Sequence, residues 1–193
     1  LDLPGVSRGK PLEKLGQRSL NQGEIFFDEV VVPRRFVIAE GPEAYPLIWE
    51  NYLGHANTHM GQQFVGVARA AYDYALEYAK QRVQGGRPIF EHQAVKMRLF
   101  NMFQKVEVAR SHALRVAVAA AVKPGGVPFQ YAASSKVFCT QTAFEVASEA
   151  IQVLGGAGLT REYPVEKLFR DARASLIEDG ENGMLGLMAA ARL

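Results

Sequence analysis

The stretch Ala150–Gly180, AIQVLGGAGLTREYPVEKLFRDARASLIEDG, carries the densest set of structural signals in this sequence. An apolar helical pattern runs into Gly155-Gly156, and glycines just past a helix allow a turn with positive φ and a close approach by another group. A polar segment, a second helical stretch and the run Glu178-Asp179-Gly180 follow. A carboxylate that precedes a glycine between two helices can face a cleft as a base. The stretch therefore predicts both helix packing and a chemical site.

Helical periodicity also covers most of the chain before this stretch. Three apolar stripes recur at spacings of mostly three and four residues, separated by Gly/Pro segments at 84–88 and 124–128. Long helices joined by short breaks predict an antiparallel bundle, with two shorter helices near 165–172 and 182–191. The stripes are Phe64, Ala68, Ala71, Tyr72, Ala75 and Ala79; then Val95, Leu99, Met102, Val106, Ala109, Ala113, Val116 and Ala120; then Phe138, Ala143, Val146, Ala150, Ile151 and Leu154.

The first forty residues have a different character. The run Ile25–Val32 is rich in β-branched and aromatic residues and predicts a strand, and Pro33 ends it because proline lacks a ladder donor. Glu40-Gly41-Pro42 marks a boundary. The predicted fold class is therefore mainly α, with a four-helix-type antiparallel bundle at residues 41–193 preceded by a small β-strand segment at residues 1–40.

Length and composition limit the classes of protein to consider. A chain of 193 residues, 48% of them apolar, can bury a core without disulfides or metals. The net charge of +2, with basic residues scattered among acidic ones, argues against nucleic-acid binding. The single cysteine, Cys139, excludes an intramolecular disulfide and fits a reducing compartment.

The most apolar run, Val116–Val122, is far short of the ~20 residues of a spanning helix. Because the chain opens abruptly at Leu1, we expect a fragment or a processed chain.

The motifs of the opening stretch resemble the C-terminal half of the acyl-CoA dehydrogenase family of flavoenzymes. The pattern Q-x-x-G-G-x-G, E-x-P-V-E, R-D-A and acid-Gly occurs in order and without gaps. Segments 5–10, 14–18 and 23–33 are similar to strands of the family's middle domain, and segments 78–82, 86–89 and 92–95 match its second block. The residues of the main pattern are Gln152, Gly155, Gly156, Gly158, Glu162, Pro164, Val165, Glu166, Arg170, Asp171, Ala172 and Gly180.

The resemblance implies a fold and an activity. Residues 1–40 correspond to the end of a truncated middle β domain, and residues 41–193 to the C-terminal helical domain. The implied reaction is FAD-dependent α,β-desaturation of an acyl-CoA thioester in fatty acid metabolism, in which a carboxylate removes the α-proton and the β-hydride passes to flavin N5. Electrons then leave to an electron-transfer flavoprotein. The family also implies a homo-oligomer, a dimer or tetramer, in the cytoplasm or, in a eukaryote, the mitochondrial matrix. We expect the fragment alone to be inactive.

The implied FAD contacts lie at helix ends, and each of these residues can also be explained by a structural role without a ligand. In the family the arginine at Arg82 reaches the FAD diphosphate of a neighbouring subunit, but a lone arginine there also suits the helix dipole. The glycine pair and Gln152 suit a nucleotide laid across a helix end, but also a Schellman stop without a ligand. Gly85 stands where the family has phenylalanine. The implied cofactor residues are Arg82, His92, Gln93, Gln152, Gly155, Gly156 and Glu181.

The implied catalytic base is Asp179, which the count from Arg170-Asp171-Ala172 puts on the family's carboxylate position. Glu178 is the runner-up. Gly180 leaves room for a thioester, and in the family the backbone N–H of the base residue binds the thioester carbonyl. From the residues alone, this acidic cluster also fits the solvated first turn of a helix, where carboxylates favour the dipole. The family more often has Glu-Gly-Thr where this chain has Asp-Gly-Glu.

The helix before the first break contains two further candidate positions. His55 and His59 lie four residues apart, but no third ligand follows at a supportive spacing and the H-E-x-x-H glutamate is missing, so we expect no metal. Some family members place their catalytic glutamate at the position of Ala56, which cannot act as a base. The family commonly has arginine at Asn57, so Asn57 is a substrate-cleft candidate without that charge.

Two other functions are also consistent with the sequence. A helical assembly module that kept the fold and lost the chemistry is consistent with the departures at Asn57, Gly85 and Glu181. A flavoenzyme of the same fold acting on a non-CoA substrate, such as a monooxygenase or a nitroalkane oxidase, is the other alternative. Nitroalkane oxidases also use an aspartate base, so Asp179 does not discriminate between them. Turnover of a CoA thioester would.

Overall fold

Long helices dominate the structure, a computed structural model that describes residues 2–123 and 126–193. The five α-helices are α1 (Ala44–Gln81), α2 (Gln93–Val122), α3 (Phe129–Leu154), α4 (Val165–Ser175) and α5 (Asn182–Ala190). Short 3-10 helices lie at Arg34–Phe36, Ile89–Glu91 and Gly155–Leu159. Strand β1 (Val6–Arg8) pairs antiparallel with β2 (Ile25–Phe27), and β3 (Val83–Gln84) pairs antiparallel with β4 (Arg87–Pro88). The predicted mainly α fold with a small β segment is confirmed.

Helix α3 is the centre of the bundle, because it packs against α1, α2, α4 and α5. Its contact with α1 is the most extensive, and both helices present alanines there that are fully buried. Side chains this small allow two helix backbones to approach closely over many turns. The alanines are Ala68, Ala71, Ala75 and Ala79 of α1 and Ala143, Ala147 and Ala150 of α3.

A second, smaller apolar cluster attaches α5 to the bundle. Leu185 of α5 is 1% exposed and packs with Leu53 of α1 and with Phe129 and Ala133 of α3. Complete burial of a leucine side chain contributes about 1.5–3 kcal/mol. This cluster fixes the start of α5 and therefore the loop that connects it to α4.

Two expectations about local structure are wrong. Phe138, assigned to the buried stripe of α3, is 41% exposed, because its five-residue step to Ala143 takes it off the buried face. Cys139 takes the buried position, and the Phe138 ring lies 6.2 Å from the His112 ring. The strand expected over 25–32 ends at Phe27, because Glu29 has a φ of 45° and takes the chain out of the extended conformation.

The boundaries between elements fall near their expected positions. Helix α1 begins at Ala44, soon after the Gly-Pro boundary, while the division into domains at residues 40 and 41 stays a prediction. Residues 124 and 125 of the break expected at 124–128 lie outside the described residues; α3 starts directly after Pro128. None of the helices in the described part of the chain has the length and apolar character needed to cross a bilayer.

Candidate functional site

A tight hairpin follows α1 and shapes the first part of the site. Its turn residues Gly85 and Gly86 have φ values of 61° and 80°, and a two-residue hairpin turn with positive φ at both positions strongly favours glycine. A Cβ on Gly85 would also lie 3.2 Å from Cε1 of His92. This hairpin therefore requires glycine at position 85, where the family that the sequence resembles has phenylalanine.

A cavity of about 470 Å³ lies between this hairpin, the end of α1 and the end of α3. It brings together Arg82, Gly155 and Gly156, three of the residues that the resemblance implies for FAD, and their contact with FAD stays a prediction. Both glycines are exposed, Gly155 has a φ of 61°, and a Cβ on either would meet no atom within 4 Å. A guanidinium beside open glycine backbone suits a phosphate oxygen. The lining residues are Tyr78, Arg82, Gln84, Ile89, Val153, Leu154, Gly155, Gly156 and Ala157.

The other predicted cofactor residues of this region lie outside that lining. His92 is the N-cap residue of α2, and its Nε2 atom lies 3.0 Å from the Gln84 carbonyl oxygen, so the ring connects the hairpin to α2. Gln93 and Gln152 are exposed on α2 and α3. Contacts of these three residues with FAD stay predictions.

The loop between α4 and α5 contains the predicted base. Asp179 has a φ of 51° and Gly180 a φ of 105°. Left-handed backbone is uncommon for residues other than glycine, although aspartate tolerates it better than most. A Cβ on Gly180 would lie 2.7 Å from Cδ2 of Leu185, so packing also requires glycine at position 180.

Two buried side chains hold consecutive carbonyls of this loop from opposite helices. Asn57 of α1 donates from Nδ2 to the Leu53 oxygen at 2.7 Å and, more weakly, to the Asp179 oxygen at 3.4 Å. Lys136 of α3 donates from Nζ to the Gly180 oxygen at 2.7 Å and to Oδ1 of Asn182 at 2.8 Å. Both Asn57 and Lys136 have relative exposures of 0%. The bundle therefore positions the loop between α4 and α5, called the base loop after the predicted role of Asp179, through its backbone.

The buried ammonium of Lys136 faces an acidic loop. Burial lowers the pKa of Lys136 from 10.5 to about 8, because the charged form loses its hydration. The carboxylates of Glu178, Asp179 and Glu181 act in the opposite direction and favour the charged form. The loop thus places three acidic residues around one buried cation.

Glu178 forms a hydrogen bond with the β segment at the start of the chain. Its Oε1 atom accepts a hydrogen bond from Nε2 of Gln17, and it lines a cavity of about 470 Å³ together with Lys14 and Arg173. Burial raises the pKa of Glu178, the charge of Asp179 adds to this, and the Gln17 hydrogen bond and the charge of Lys136 oppose it. The choice of Asp179 over Glu178 as the base stays a prediction.

Glu181 caps the N-terminus of α5. Its Oε2 atom accepts a hydrogen bond from the Met184 N–H at 2.9 Å, which satisfies one of the free donors of the first turn. The backbone N–H groups of Gly183 and Met184 lower the pKa of Glu181. This contact accounts for an acidic residue at position 181, and a contact of Glu181 with FAD stays a prediction.

The Arg170-Asp171 motif attaches the start of the chain to the bundle. Arg170 makes two hydrogen bonds to the Glu166 carboxylate, at 2.7 and 3.1 Å, and one from Nη1 to the Leu15 oxygen at 2.7 Å. Asp171 accepts a hydrogen bond from the Gln17 N–H. The motif therefore carries a structural role next to the base loop.

Comparison with known proteins agrees with this architecture. The sequence model described as acyl-CoA dehydrogenase, C-terminal domain, matches residues 47–193. The chain belongs to the acyl-CoA dehydrogenase family. A similar relative is the cyclohexane-1-carbonyl-CoA dehydrogenase of Geobacter metallireducens, 33% identical over 189 residues that cover 98% of this chain and 49% of the relative.

Solved structures extend the comparison. The butyryl-CoA dehydrogenase of Megasphaera elsdenii superposes with a TM-score of 0.93 at 30% identity, over 99% of this chain and 49% of that one. The protein PigA, solved with FAD and proline, shares the fold at a TM-score of 0.91 and 24% identity, over 99% of this chain and 49% of that one. The chain spans about half the length of the curated relatives it matches.

The site of this acyl-CoA dehydrogenase family member combines predicted and unpredicted residues. Asn57 is fully buried and contacts the Asp179 carbonyl, so its substrate contact stays a prediction, as does that of Gly180. The described residues include no group of three or more His, Cys, Asp and Glu side chains arranged to hold a metal ion. Sequence reasoning missed Lys136 and Gln17. A signal for Lys136 was available, since Ala132, Ala133 and Cys139 surround it on a buried helical face.

Proposed function

We propose that this chain forms the C-terminal half of an FAD-dependent acyl-CoA dehydrogenase and that Asp179 removes the α-proton of the acyl-CoA thioester. Family membership supports the reaction class. One observation supports the choice of base. Glu178 accepts a hydrogen bond from Gln17 and Glu181 accepts one from Met184, whereas no donor among residues 2–123 and 126–193 contacts the Asp179 carboxylate. Within the described residues, Asp179 is therefore the one of the three acids whose carboxylate accepts no hydrogen bond, and this supports its choice as the base.

The loop geometry supports the same role. Hydrogen bonds to Asn57 and Lys136 turn the carbonyls of Asp179 and Gly180 towards the bundle. A base acts efficiently only when it is held within hydrogen-bond reach of the proton it removes, and a fixed backbone provides that. The space that a side chain at position 180 would take is filled by Leu185, so this glycine serves the packing and the backbone conformation of the loop.

The cavity at Arg82, Gly155 and Gly156 supports FAD as the cofactor. The guanidinium would bind the diphosphate, and the exposed glycine backbone would accept the nucleotide without steric conflict. When bound, FAD supplies a hydride acceptor at N5. In this proposal these residues contact the cofactor of a neighbouring subunit, and Gln152, Gln93, His92 and Glu181 complete the contact.

The proposal includes an oligomer and an electron acceptor. Helix α2 exposes large apolar side chains that association with a second copy would cover, which supports a dimer or tetramer. They are Met97, Phe100, Phe103, Val108, Leu114 and Val118. The reduced flavin would pass its electrons to an electron-transfer flavoprotein, in the cytoplasm or the mitochondrial matrix.

A flavoenzyme of the same fold with a non-CoA substrate is the second candidate, since PigA, solved with FAD and proline, shares this architecture. The test is anaerobic mixing of the full-length, FAD-loaded enzyme with saturated acyl-CoA thioesters of different length and branching. We expect flavin bleaching and a product lighter by two hydrogens. Bleaching by a nitroalkane or an amino acid, but by none of the thioesters, would favour the second candidate. A full-length protein that binds no flavin would be the inactive assembly module.

A further inference from the structure

We propose that Lys136 is a positioning residue of this enzyme, which holds the base loop by binding the Gly180 carbonyl and the Asn182 side chain from inside the bundle. Its catalytic consequence rests on the proposed function, whereas its effect on the loop does not. Lys136 touches neither substrate nor cofactor in this proposal. It acts through the backbone that carries Asp179.

The contacts of Lys136 are directional and enclosed. Its Nζ atom lies 2.7 Å from the Gly180 oxygen and 2.8 Å from Oδ1 of Asn182. One turn further along α3, Oγ1 of Thr140 accepts a hydrogen bond from Nδ2 of Asn182 at 3.1 Å. The Asn182 amide is thereby oriented with its oxygen towards the ammonium. Helix α3 therefore binds both the loop and the first residue of α5.

Packing alone does not account for a lysine at this position. Burial of an ammonium is unfavourable relative to an apolar side chain of similar volume, and methionine would fill the same space. The neighbouring residues Ala132, Ala133 and Cys139 form an apolar surface that would accept such a side chain. What the ammonium adds is a pair of charge-assisted hydrogen bonds to two fixed oxygens of the loop.

The backbone of the loop needs such support. Asp179 and Gly180 are both at positive φ, a conformation that persists in a non-glycine residue only when the surroundings enforce it. Asn57 holds the Asp179 carbonyl from α1 through a longer contact of 3.4 Å, so the shorter bond to Lys136 is the stronger restraint. Without it, the peptide between positions 180 and 181 loses its strongest side-chain restraint, and we expect the Asp179 carboxylate to shift.

The first experiment measures the loop itself by native-state hydrogen exchange on the full-length, FAD-loaded enzyme. The probes are the Glu178 and Asn182 N–H groups, which bond to the Ala174 and Leu176 oxygens. In Lys136→Met we expect these amides to exchange at least about tenfold faster, since hydrogen bonds to a charged group are lost. Lys105→Met is the matched control, because the Lys105 ammonium bonds the exposed Glu145 on the surface of the bundle. Exchange in Lys136→Met that equals the control would overturn the proposal.

The second experiment measures catalysis. We expect kcat for flavin reduction by an acyl-CoA to fall about 10²-fold in Lys136→Met, with KM and FAD content unchanged, because a displacement of about 1 Å has this effect. The isotope effect of an α-deuterated thioester should rise, because proton removal becomes slower relative to the other steps. A purely structural lysine would change none of these ratios, and an unchanged kcat contradicts the proposal.

A third variant covers the case in which Lys136→Met does not fold. Asn182→Ala keeps the lysine but removes one of its two acceptors, and we expect about a tenfold fall in kcat with KM retained. An unchanged kcat in Asn182→Ala would then overturn the proposal. If none of the thioesters tested reduces the flavin of the parent enzyme, the proposed function fails. The exchange experiment alone then decides whether Lys136 holds the loop.

Discussion

Replacement of Gly180 by alanine tests whether the base loop has the geometry described here. Two costs combine in this variant. A residue with a Cβ at a φ of 105° is strained by about 1–3 kcal/mol. The new Cβ would also lie 2.7 Å from Cδ2 and 2.9 Å from Cγ of the buried Leu185, and overpacking of this kind costs about 1–3 kcal/mol. We therefore expect the loop and α5 to lose about 2–6 kcal/mol of local stability.

Hydrogen exchange of the Leu185 N–H, which bonds to the Glu181 oxygen at 2.9 Å, reports the opening of this region. Gly186→Ala is the matched control on the same helix, because a Cβ there meets no atom within 4 Å. It should stabilise α5 by up to about 1 kcal/mol, since alanine is the better helix former. The double variant Gly180→Ala/Leu185→Ala removes the clash and leaves the backbone strain, so it should lose only about 1–3 kcal/mol relative to Leu185→Ala.

An equal exchange rate in Gly180→Ala and Gly186→Ala would refute this reasoning. It would show that the loop accepts an alanine by adopting another backbone conformation. In that case the positive φ at position 180 is not a requirement of the fold, and the position of Asp179 is not fixed by it.

Three further outcomes are expected. The folded chain should release the Lys136 proton from a pKa of about 8, before the unfolded chain does at 10.5, so Lys136 should add about 1–3 kcal/mol to the free energy of unfolding as pH increases across this window. Burial raises the pKa of Cys139 to about 11, which acts in the opposite direction in both proteins. The measurement is therefore the difference in unfolding free energy between the parent and Lys136→Met in denaturant titrations, which should grow in favour of the parent. Arg82→Gln should weaken FAD binding about 10- to 100-fold in flavin titrations, because charge-assisted hydrogen bonds to phosphate are lost. Arg98→Gln is the control and should leave FAD binding unchanged, because Arg98 forms an ion pair on the surface. Gly61→Ala should lower the melting temperature, because its Cβ would clash with a buried hydroxyl of α3, whereas Gly66→Ala, with open space around it, should not.

Local patterns in the sequence predicted the parts of the fold that depend on short-range rules. The stripe of α1 follows the helical repeat, and Ala68, Ala71, Ala75 and Ala79 are all fully buried. The end of α3 at the glycine pair was predicted because glycine tolerates positive φ at a helix end. The prediction that Phe138 is buried was wrong, because the five-residue step from Phe138 to Ala143 departs from the helical repeat of three and four residues.

The site depends on contacts that no local pattern reveals. Lys136 bonds to a carbonyl 44 positions away, and a lysine within a helix is ordinarily read as a surface residue. Gln17 reaches Glu178 across 161 positions, through a segment whose sequence predicts only strands and turns. Motif spacing selected Asp179, but only the three-dimensional arrangement shows that Glu178 and Glu181 each accept a hydrogen bond from another residue.

The assignment of Asp179 as the base is tested most directly by flavin reduction in two charge-removing variants of the full-length enzyme. Asp179→Asn should retain FAD and lose reduction by an acyl-CoA thioester, because no neighbouring group replaces the missing base. Glu178→Gln should keep most of the rate, since its carboxylate is bonded to Gln17 and faces the β segment. Loss of reduction in Glu178→Gln together with retained reduction in Asp179→Asn would contradict the account.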